Sequence, residues 1–301
     1  MPPAVGRPAL PPWLKVSLPT GPAVARLKEA SRSRGLATVC EQARCPNLAE
    51  CWGGGTATFM VMGEICTRGC RFCSVGTAVK PPPPDAGEPS RLALTLKEMA
   101  IDYAVLTTVC RDDLPDQGAS HLASCLREIK TICPRLKLEM LLQDFRGDHD
   151  LLEVVLDAGP DVVAHNVECV ERLTALVRDR KAGYRQSLDV LRHSKSYLRE
   201  TPTKTSLMLG LGETEDEIIQ AFKDIRSVGV EILTLGQYLR PSGSRHHLRV
   251  ERFVTPEEFD RFGELARSHG FLHVASGPLV RSSYRAAELF LKGHLEKRIA
   301  S

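Results

Sequence analysis

Six of the ten cysteines fall between positions 40 and 73, where they form two groups of three. The first group has the spacing C-x4-C-x5-C and the second has C-x3-C-x2-C. A structural zinc site takes four closed ligands, and neither group supplies them. Three thiolates on a four-iron cluster leave one iron open to a further ligand. The pattern therefore favours two iron–sulfur sites, held by Cys40, Cys45 and Cys51, and by Cys66, Cys70 and Cys73.

Disulfide bonds are a weaker interpretation of these cysteines. No secretory signal is predicted, and a chain of 301 residues can bury a core large enough to be stable without disulfides. The second group directly follows an apolar, β-branched run at 56–63, which predicts a buried strand. Sites in parallel α/β folds lie at the carboxyl ends of strands. The cysteines outside the two groups are predicted to be structural, and these are Cys110, Cys125, Cys133 and Cys169.

Composition excludes several classes of protein. The net charge is only +3 and aromatic residues make up 5% of the chain, so a nucleic-acid surface is not expected. No apolar run reaches the roughly 18 residues that a transmembrane helix needs. Residues 1–28 contain basic residues and no acid, but seven prolines there oppose the amphipathic helix of a mitochondrial presequence. We predict an extended arm and a cytoplasmic protein, with the mitochondrial matrix as the alternative.

Short apolar strands alternate with helical periodicity after the second cysteine group, which predicts βαβ units and a parallel sheet. Right-handed crossovers would close such units into an open barrel. The predicted strands are 56–63, 103–109, 136–142, 161–165, 204–209 and 231–235. The predicted helices are 94–102, 118–131, 148–158, 187–197, 214–228 and 255–268.

The loop CTRGCRFC at 66–73 resembles the signature of the radical S-adenosylmethionine (SAM) enzymes, including Phe72 before the last cysteine. In that family three thiolates hold a 4Fe–4S cluster, and SAM chelates the fourth iron. Electron transfer to the bound SAM then releases a 5′-deoxyadenosyl radical. The resemblance implies that Cys66, Cys70 and Cys73 hold this cluster.

The first cysteine group indicates a resemblance to one family within these enzymes. The run TVCEQARCPNLAECW at 38–52 resembles the N-terminal cluster motif of lipoyl synthases, and similarity to that family covers roughly residues 11–292. Further matching segments are PWLKV at 12–16, RDDLP at 111–115, DFRG at 144–147, HNVE at 165–168, GLGET at 210–214, LTLGQYL at 233–239 and GPLVRSSY at 277–284.

The resemblance implies an enzyme that inserts two sulfur atoms at C6 and C8 of an octanoyl group on a lysine of a carrier protein. The carriers would be lipoyl domains or the glycine-cleavage carrier, and a low-potential electron donor is implied as well. An auxiliary 4Fe–4S cluster on Cys40, Cys45 and Cys51 would donate the sulfur. Its fourth ligand would be Ser283, with Ser282 as the alternative, although either serine could instead cap a helix.

The resemblance also implies a fold and a set of SAM contacts. We expect a partial (β/α)6 TIM-like barrel at 56–269, an N-terminal cluster-binding extension at 1–55 and a C-terminal closing segment at 270–301. The family pattern usually has Gly-Gly after Asp116, whereas this chain has Gln117-Gly118, so the local turn is expected to differ. The residues expected to bind SAM are Phe72, Arg111, Asp112, Asn166 and Glu168, although such aspartates also serve as turn and cap residues.

Two alternatives remain open from the sequence. A radical SAM sulfur transferase with another substrate would share the second cysteine group. A two-cluster electron carrier of the ferredoxin type would be expected to protect each cluster with four cysteines, which fits two groups of three badly. The first cysteine group and the C-terminal RSSY motif distinguish the lipoyl synthase interpretation from both.

Overall fold

Strands and helices alternate along the chain as the apolar periodicity predicts. The computed structural model describes residues 10–15, 35–38, 47, 51 and 56–283. The strands are β1 (Ala37–Thr38), β2 (Thr56–Val61), β3 (Ile65–Cys66), β4 (Gly76–Thr77), β5 (Tyr103–Thr108), β6 (Lys137–Leu141), β7 (Val162–Ala164), β8 (Thr203–Leu209), β9 (Ile232–Gln237) and β10 (His273–Gly277). The helices are α1 (Glu88–Met99), α2 (Ala119–Ile132), α3 (His149–Leu156), α4 (Thr174–Val177), α5 (Tyr184–Tyr197), α6 (Glu215–Ser227) and α7 (Pro256–Ser268).

The main sheet has the strand order β1-β2-β5-β6-β7-β8-β9-β10, and all neighbours after β2 are parallel. Chain order and spatial order coincide, and the helices pack on one face. This is the singly wound arrangement of a β/α barrel rather than that of a doubly wound sheet. The edge strands β1 and β10 do not pair with each other in the described chain, so the barrel is open. The expected fold class is confirmed.

The C-terminal part of the fold contains one more strand than the sequence predicted. Residues 270–301 were expected only as a closing segment, but β10 pairs in parallel with β9 from His273↔Ile232 to Gly277↔Gly236. The run HVASG has little apolar character, so its strand is not visible in the periodicity. Helix α1 likewise begins six residues earlier than expected, because Pro89 is tolerated in a first helical turn.

The two faces of the parallel sheet bury different side chains. Ala104 and Leu106 of β5 face the helix layer and pack in the same core cluster as Leu122 of α2. Tyr103 and Val105 alternate with them and join Val162 and Ile232 in a smaller cluster on the opposite face. Period-two alternation therefore separates the helix-packing side from the interior of the barrel.

The barrel interior also contains a buried ion pair. Lys204 Nζ contacts both carboxylate oxygens of Glu139 at 2.8 Å, and the Tyr103 hydroxyl donates to Glu139 Oε2 at 2.7 Å. Both charged side chains are 2% exposed. The hydrogen bonds satisfy the two charges where no solvent reaches them.

The end of β2 is fixed by a hydrogen bond to a glutamate of α1, and this glutamate also contacts α2. Met62 adopts a left-handed conformation (φ 67°), and its N–H donates to Glu88 Oε2 at 2.9 Å. The same oxygen contacts His121 Nε2 at 2.6 Å, which ties α1 to α2. A Cβ on Gly118 (φ 86°) would overlap the end of the Met62 side chain and would be strained at this φ, so glycine is favoured at this position. The segment that leads into the second cysteine group is thereby held in place.

Candidate active site

The second cysteine group forms a closed loop at the carboxyl edge of the sheet. We call residues 66–73 the cluster loop. The chain enters it through β3 and leaves through β4, and these two strands pair in parallel. The Ala78 N–H also donates to the Cys66 carbonyl at 3.1 Å. The loop therefore has a fixed base, and its three cysteines are all half-buried.

Backbone amides point at the cysteine sulfurs. Cys66 Sγ accepts from the N–H groups of Arg68 at 3.4 Å and Cys110 at 3.3 Å, and Cys70 Sγ accepts from the Asp179 N–H at 3.3 Å. The hydrogen bond with the Cys110 thiol, with help from these amides, lowers the pKa of Cys66 to about 6. Burial raises the pKa of Cys70 to about 12 and also raises that of Cys73. Three thiols with N–H donors to sulfur fit a cluster with three protein ligands.

Arg68 fastens the cluster loop to two neighbouring strand ends. Its guanidinium donates to Asp112 at 3.0 and 2.8 Å and to Asp144 at 2.7 Å. The three side chains are 0–3% exposed. Burial would raise the pKa of both carboxyls, but the hydrogen bonds and charge of Arg68 hold them well below their usual range. The loop is thus bound to the segments that follow β5 and β6.

A second contact joins the cluster loop to the segment after β7. Asp179 Oδ2 accepts the Gly69 N–H at 2.9 Å, while its own N–H donates to Cys70. Lys181 Nζ reaches Asp112 Oδ2 at 3.3 Å. The Arg71 N–H donates to the Val177 carbonyl at 2.9 Å. These bonds involve both backbone and side-chain groups of the segment after β7, so this segment also fixes the conformation of the cluster loop.

The segment after β9 completes the attachment. His247 Nε2 donates to the Cys73 carbonyl at 2.9 Å, since a carbonyl can only accept. The Leu248 N–H donates to the Arg71 carbonyl at 3.2 Å, and Arg71 Nε donates to the His246 carbonyl at 3.1 Å. The cluster loop is therefore held by loops that follow four different strands of the barrel.

The predicted SAM contacts lie around this loop. Phe72 is half-buried and packs against the core of the C-terminal half. Asn166 donates to the Glu168 carboxylate, and the negative charge of Glu168 acts on Cys70 and Cys73. Burial raises the pKa of Glu168. The structure thus places Phe72 within the loop and Glu168 beside its cysteines.

The two predicted SAM contacts after β5 have partners within the protein. Asp112 accepts from Thr67 at 2.8 Å as well as from Arg68 and Lys181, so its carboxylate holds the cluster loop. Arg111 is 1% exposed and forms a two-point ion pair with Asp113. Its Nη1 atom is buried without a partner in the described part of the chain. The SAM contacts of both residues stay predictions.

The turn that departs from the family pattern is formed at a conformational cost. Gln117 takes a left-handed conformation (φ 49°) that glycine adopts more easily. The Gln117 side-chain amide donates to the Phe145 carbonyl at 3.0 Å, and Gln143 Nε2 donates to the Gln117 carbonyl at 2.5 Å. These bonds offset the backbone strain and connect the turn to the segment after β6.

The residues predicted for the auxiliary cluster are only partly described. Cys40 and Cys45 lie outside the described residues, whereas Cys51 is buried. The Asn47 side chain donates to the Leu279 carbonyl at 2.6 Å, and the Cys51 N–H donates to the Asn47 carbonyl at 2.9 Å. Leu279 lies two positions before the RSSY motif, which begins at Arg281. The segment that carries Cys51 therefore contacts the segment that leads to Ser282 and Ser283, and both serines are half-buried.

Sequence reasoning missed several residues that build the site. Cys110 was predicted only to have a structural role, and its N–H donates to Cys66 Sγ at 3.3 Å. The sequence showed Asp179 and Lys181 only as part of the charged run RDRK at 178–181, which looks like a solvated surface. Arg68 is buried because its guanidinium pairs with two buried carboxylates. Its partners come from loops whose proximity depends on the sheet.

Comparisons with known proteins agree with this geometry. A family model described as the radical SAM superfamily matches residues 60–225, and one described as the N-terminal domain of lipoyl synthase matches residues 3–45. Lipoyl synthase from Myxococcus xanthus is 59% identical over 287 residues, which cover 95% of each chain. The chain belongs to the lipoyl synthase family. The mitochondrial lipoyl synthase of Aedes aegypti is 55% identical over 96% of this chain and 74% of its own length.

Solved structures share the fold at low identity. Methylornithine synthase (PylB) has a TM-score of 0.53 at 12% identity and covers 84% of both chains. The hydrogenase maturase HydG from Carboxydothermus hydrogenoformans has a TM-score of 0.55 at 12% identity over 90% of this chain and 77% of its own. These likenesses support the barrel alone.

Membership of the family confirms the central prediction from the sequence. The chain is a radical SAM enzyme of the sulfurtransferase class, and the superfamily implies a 4Fe–4S cluster and SAM as cofactors. The similar lipoyl synthases come from bacteria and from mitochondria. Within the described residues, no helix has the length and apolar character that crossing a membrane requires.

Proposed function

We propose that this chain converts a protein-bound octanoyl-lysine into lipoyl-lysine by inserting sulfur at C6 and C8. The observation that carries the proposal is the identity of 59% over 287 residues with a lipoyl synthase, together with the cysteine loop at the carboxyl edge of the barrel. The substrate would be an octanoylated carrier protein, a lipoyl domain or the glycine-cleavage carrier, and a low-potential donor would supply electrons. The proposed compartment is the cytoplasm, with the mitochondrial matrix as the alternative.

The chain's own residues divide the work in this proposal. Cys66, Cys70 and Cys73 would hold the cluster that binds SAM, and the bound groups would supply radical chemistry for activating C–H bonds of the substrate. Glu168 sets a negative charge beside two of the thiols. The unpartnered Nη1 of Arg111 offers a buried donor for an anionic group such as the SAM carboxylate.

An auxiliary 4Fe–4S cluster on Cys40, Cys45, Cys51 and Ser283 is the proposed sulfur donor. An alkoxide is a harder ligand than a thiolate and matches iron in a sulfide cluster less well, so this corner is the one most easily lost. The hydrogen bond from Asn47 to Leu279 supports the assignment, because it joins the two segments that would share the cluster.

The proposed organisation follows from the same assignment. Residues 1–55 form the extension with the auxiliary cysteines, 56–269 form the barrel, and 270–301 form the C-terminal segment. That segment begins with β10, which would fix the position of the serines relative to the sheet.

The decisive experiment is anaerobic turnover of an octanoyl-lysine peptide with reconstituted protein, SAM and a strong reductant. A mass increase that corresponds to two inserted sulfur atoms, with 5′-deoxyadenosine formed alongside, is expected. Cys66→Ala should abolish both products, whereas Cys40→Ala should abolish sulfur insertion and keep SAM cleavage. SAM cleavage by Cys66→Ala, or sulfur insertion by Cys40→Ala, would overturn the assignment.

The serine ligand has its own matched test. Ser283→Ala should lose the sulfurated product and keep 5′-deoxyadenosine formation, while Ser282→Ala should retain both. If the two variants behave in the opposite way, Ser282 is the ligand. If both retain full sulfur insertion, neither serine binds the auxiliary cluster.

A further inference from the structure

Cys110 lies outside both cysteine groups but directly against the cluster loop. Its N–H donates to Cys66 Sγ at 3.3 Å. The next residue of the loop, Thr67, donates its N–H at 3.0 Å and its hydroxyl at 2.9 Å to the Cys110 carbonyl. The two cysteines are therefore neighbours on hydrogen-bonded segments that are 44 positions apart.

We propose that Cys66 and Cys110 form a reversible disulfide when the cluster loop holds no cluster, and that this bond must be reduced before Cys66 can bind iron. With hydrogen peroxide as oxidant, the two thiols lose two hydrogen atoms, the S–S bond forms, and the peroxide leaves as two water molecules. A dithiol reductant reverses the step and is itself oxidised to a disulfide. The proposal rests on the assignment of Cys66 as a cluster ligand.

The geometry makes this pairing a short step. A disulfide requires two sulfurs about 2.05 Å apart on neighbouring backbone segments. The hydrogen bonds of Thr67 already hold the two segments together, and Cys66 Sγ lies 3.3 Å from the backbone nitrogen of Cys110. Forming the bond therefore calls for rotation of two side chains on segments that are already adjacent.

The other loop cysteines are engaged elsewhere. Cys70 Sγ accepts from the Asp179 N–H, which lies in the segment after β7. Cys66 Sγ instead accepts from the N–H of another cysteine, Cys110, at 3.3 Å. Both are half-buried, so a small oxidant can reach them. A disulfide would also protect Cys66 from sulfinic acid formation, which dithiols do not reverse.

The test uses the full chain stripped of clusters under argon. One equivalent of hydrogen peroxide is added, remaining thiols are alkylated, and mass spectrometry of tryptic peptides locates the bond. We expect Cys66 linked to Cys110 as the main product. Cys110→Ser should lose this linkage, whereas Cys125→Ser, which removes another cysteine of the barrel, should retain it.

Iron binding provides a second readout. In a Cys40→Ala, Cys45→Ala, Cys51→Ala background, iron per chain reports loading of the cluster loop without the auxiliary cysteines. Oxidised protein should load at least fivefold less iron than reduced protein, and dithiothreitol should restore loading. Cys110→Ser in the same background should be less sensitive to the peroxide treatment.

Several outcomes would overturn the proposal. Cys66 linked to Cys70 or Cys73 with Cys110 fully alkylated would show a different pairing, and equal iron loading before and after oxidation would remove the role in cluster assembly. Failure of the proposed function can be distinguished from failure of the disulfide proposal. Reduced protein that loads iron and cleaves SAM but never forms the Cys66–Cys110 bond refutes the disulfide alone.

Discussion

Replacing Arg68 by methionine should destabilise the apo-protein more than any exposed ion-pair substitution. Arg68 donates to Asp112 and Asp144, whose side chains are 2% and 0% exposed. Its loss leaves two buried carboxylates without their cation. Asp112 retains Thr67 and Lys181, whereas Asp144 retains the Arg146 N–H, so Asp144 is the more severely affected carboxyl.

The size of the effect depends on the protonation state of a buried carboxyl that has lost its cation. It stays charged in a buried site, or it takes up a proton. Protonating a group of ordinary pKa near 3.9 at pH 7 costs about 4 kcal/mol, which sets an upper limit for each carboxyl. Removing one partner of a buried pair typically costs about 3–5 kcal/mol. We therefore expect the free energy of unfolding to fall by about 3–4 kcal/mol at pH 7.

The same reasoning predicts how the loss depends on pH. In the native protein both carboxyls have lowered pKa values, so their contribution is present above the unfolded value and lost only as pH falls through the folded one. In the variant the stranded carboxyl is protonated when folded and ionised when unfolded. Its penalty should therefore shrink by up to about 1.4 kcal/mol per unit as pH is lowered from 7 towards 4.

Urea unfolding of apo-protein followed by circular dichroism between pH 4 and 7 measures this quantity. Arg91→Met is the matched control, because it removes the same side chain from an exposed pair with Asp85. Arg68→Lys should fall between the wild type and Arg68→Met, since it keeps the charge and loses the forked geometry. A loss no larger than that of Arg91→Met, or one that does not change with pH, would refute the reasoning.

Three further predictions concern stability. Gly118→Ala should lower the free energy of unfolding in urea by roughly 2–4 kcal/mol, because it adds a steric overlap to the left-handed strain. Gly63→Ala, which has a similar φ but open space around the new Cβ, should lower it by only about 1 kcal/mol. Equal losses in the two variants would exclude the overlap. Lys204→Met should cost about 3–5 kcal/mol, and adding Glu139→Leu should recover most of it in a double-mutant cycle. His165 is buried, which lowers its pKa to about 4, so it takes up a proton on unfolding below its ordinary value of 6.5. Wild-type stability should fall between pH 6.5 and 4, and His165→Asn should reduce that slope; an unchanged slope would contradict the assignment.

The sequence was sufficient for the parts of the fold that follow from local periodicity. All six predicted parallel strands and six predicted helices exist, because alternating apolar runs specify which face is buried. Strand β10 was missed because its HVASG run is stabilised by pairing with β9 rather than by its own composition. Such pairing depends on contacts that are distant in sequence.

The residues of the site also fall into those that the sequence predicted and those that it did not. The cysteines of the cluster loop were found from their spacing, since the ligands of one cluster lie close together in the chain. Cys110, Asp144 and Asp179 become part of the site only when the barrel brings the ends of neighbouring strands together. Cys110 is a lone cysteine and Asp179 lies in a charged run, so neither has a local signal, whereas Asp144 stands out only as part of the DFRG segment that matches the family.

The attachment of the cluster loop to four strand ends has a consequence for metal acquisition. Small zinc domains fold only when the metal arrives, so much of their binding energy is used to order the chain. Here hydrogen bonds from Thr67, Gly69 and Arg71 hold the loop through the protein's own groups. The loop is therefore a receptor whose shape the protein specifies with its own hydrogen bonds. The corresponding vulnerability is that a receptor ready for iron also presents its thiols to every oxidant that arrives first.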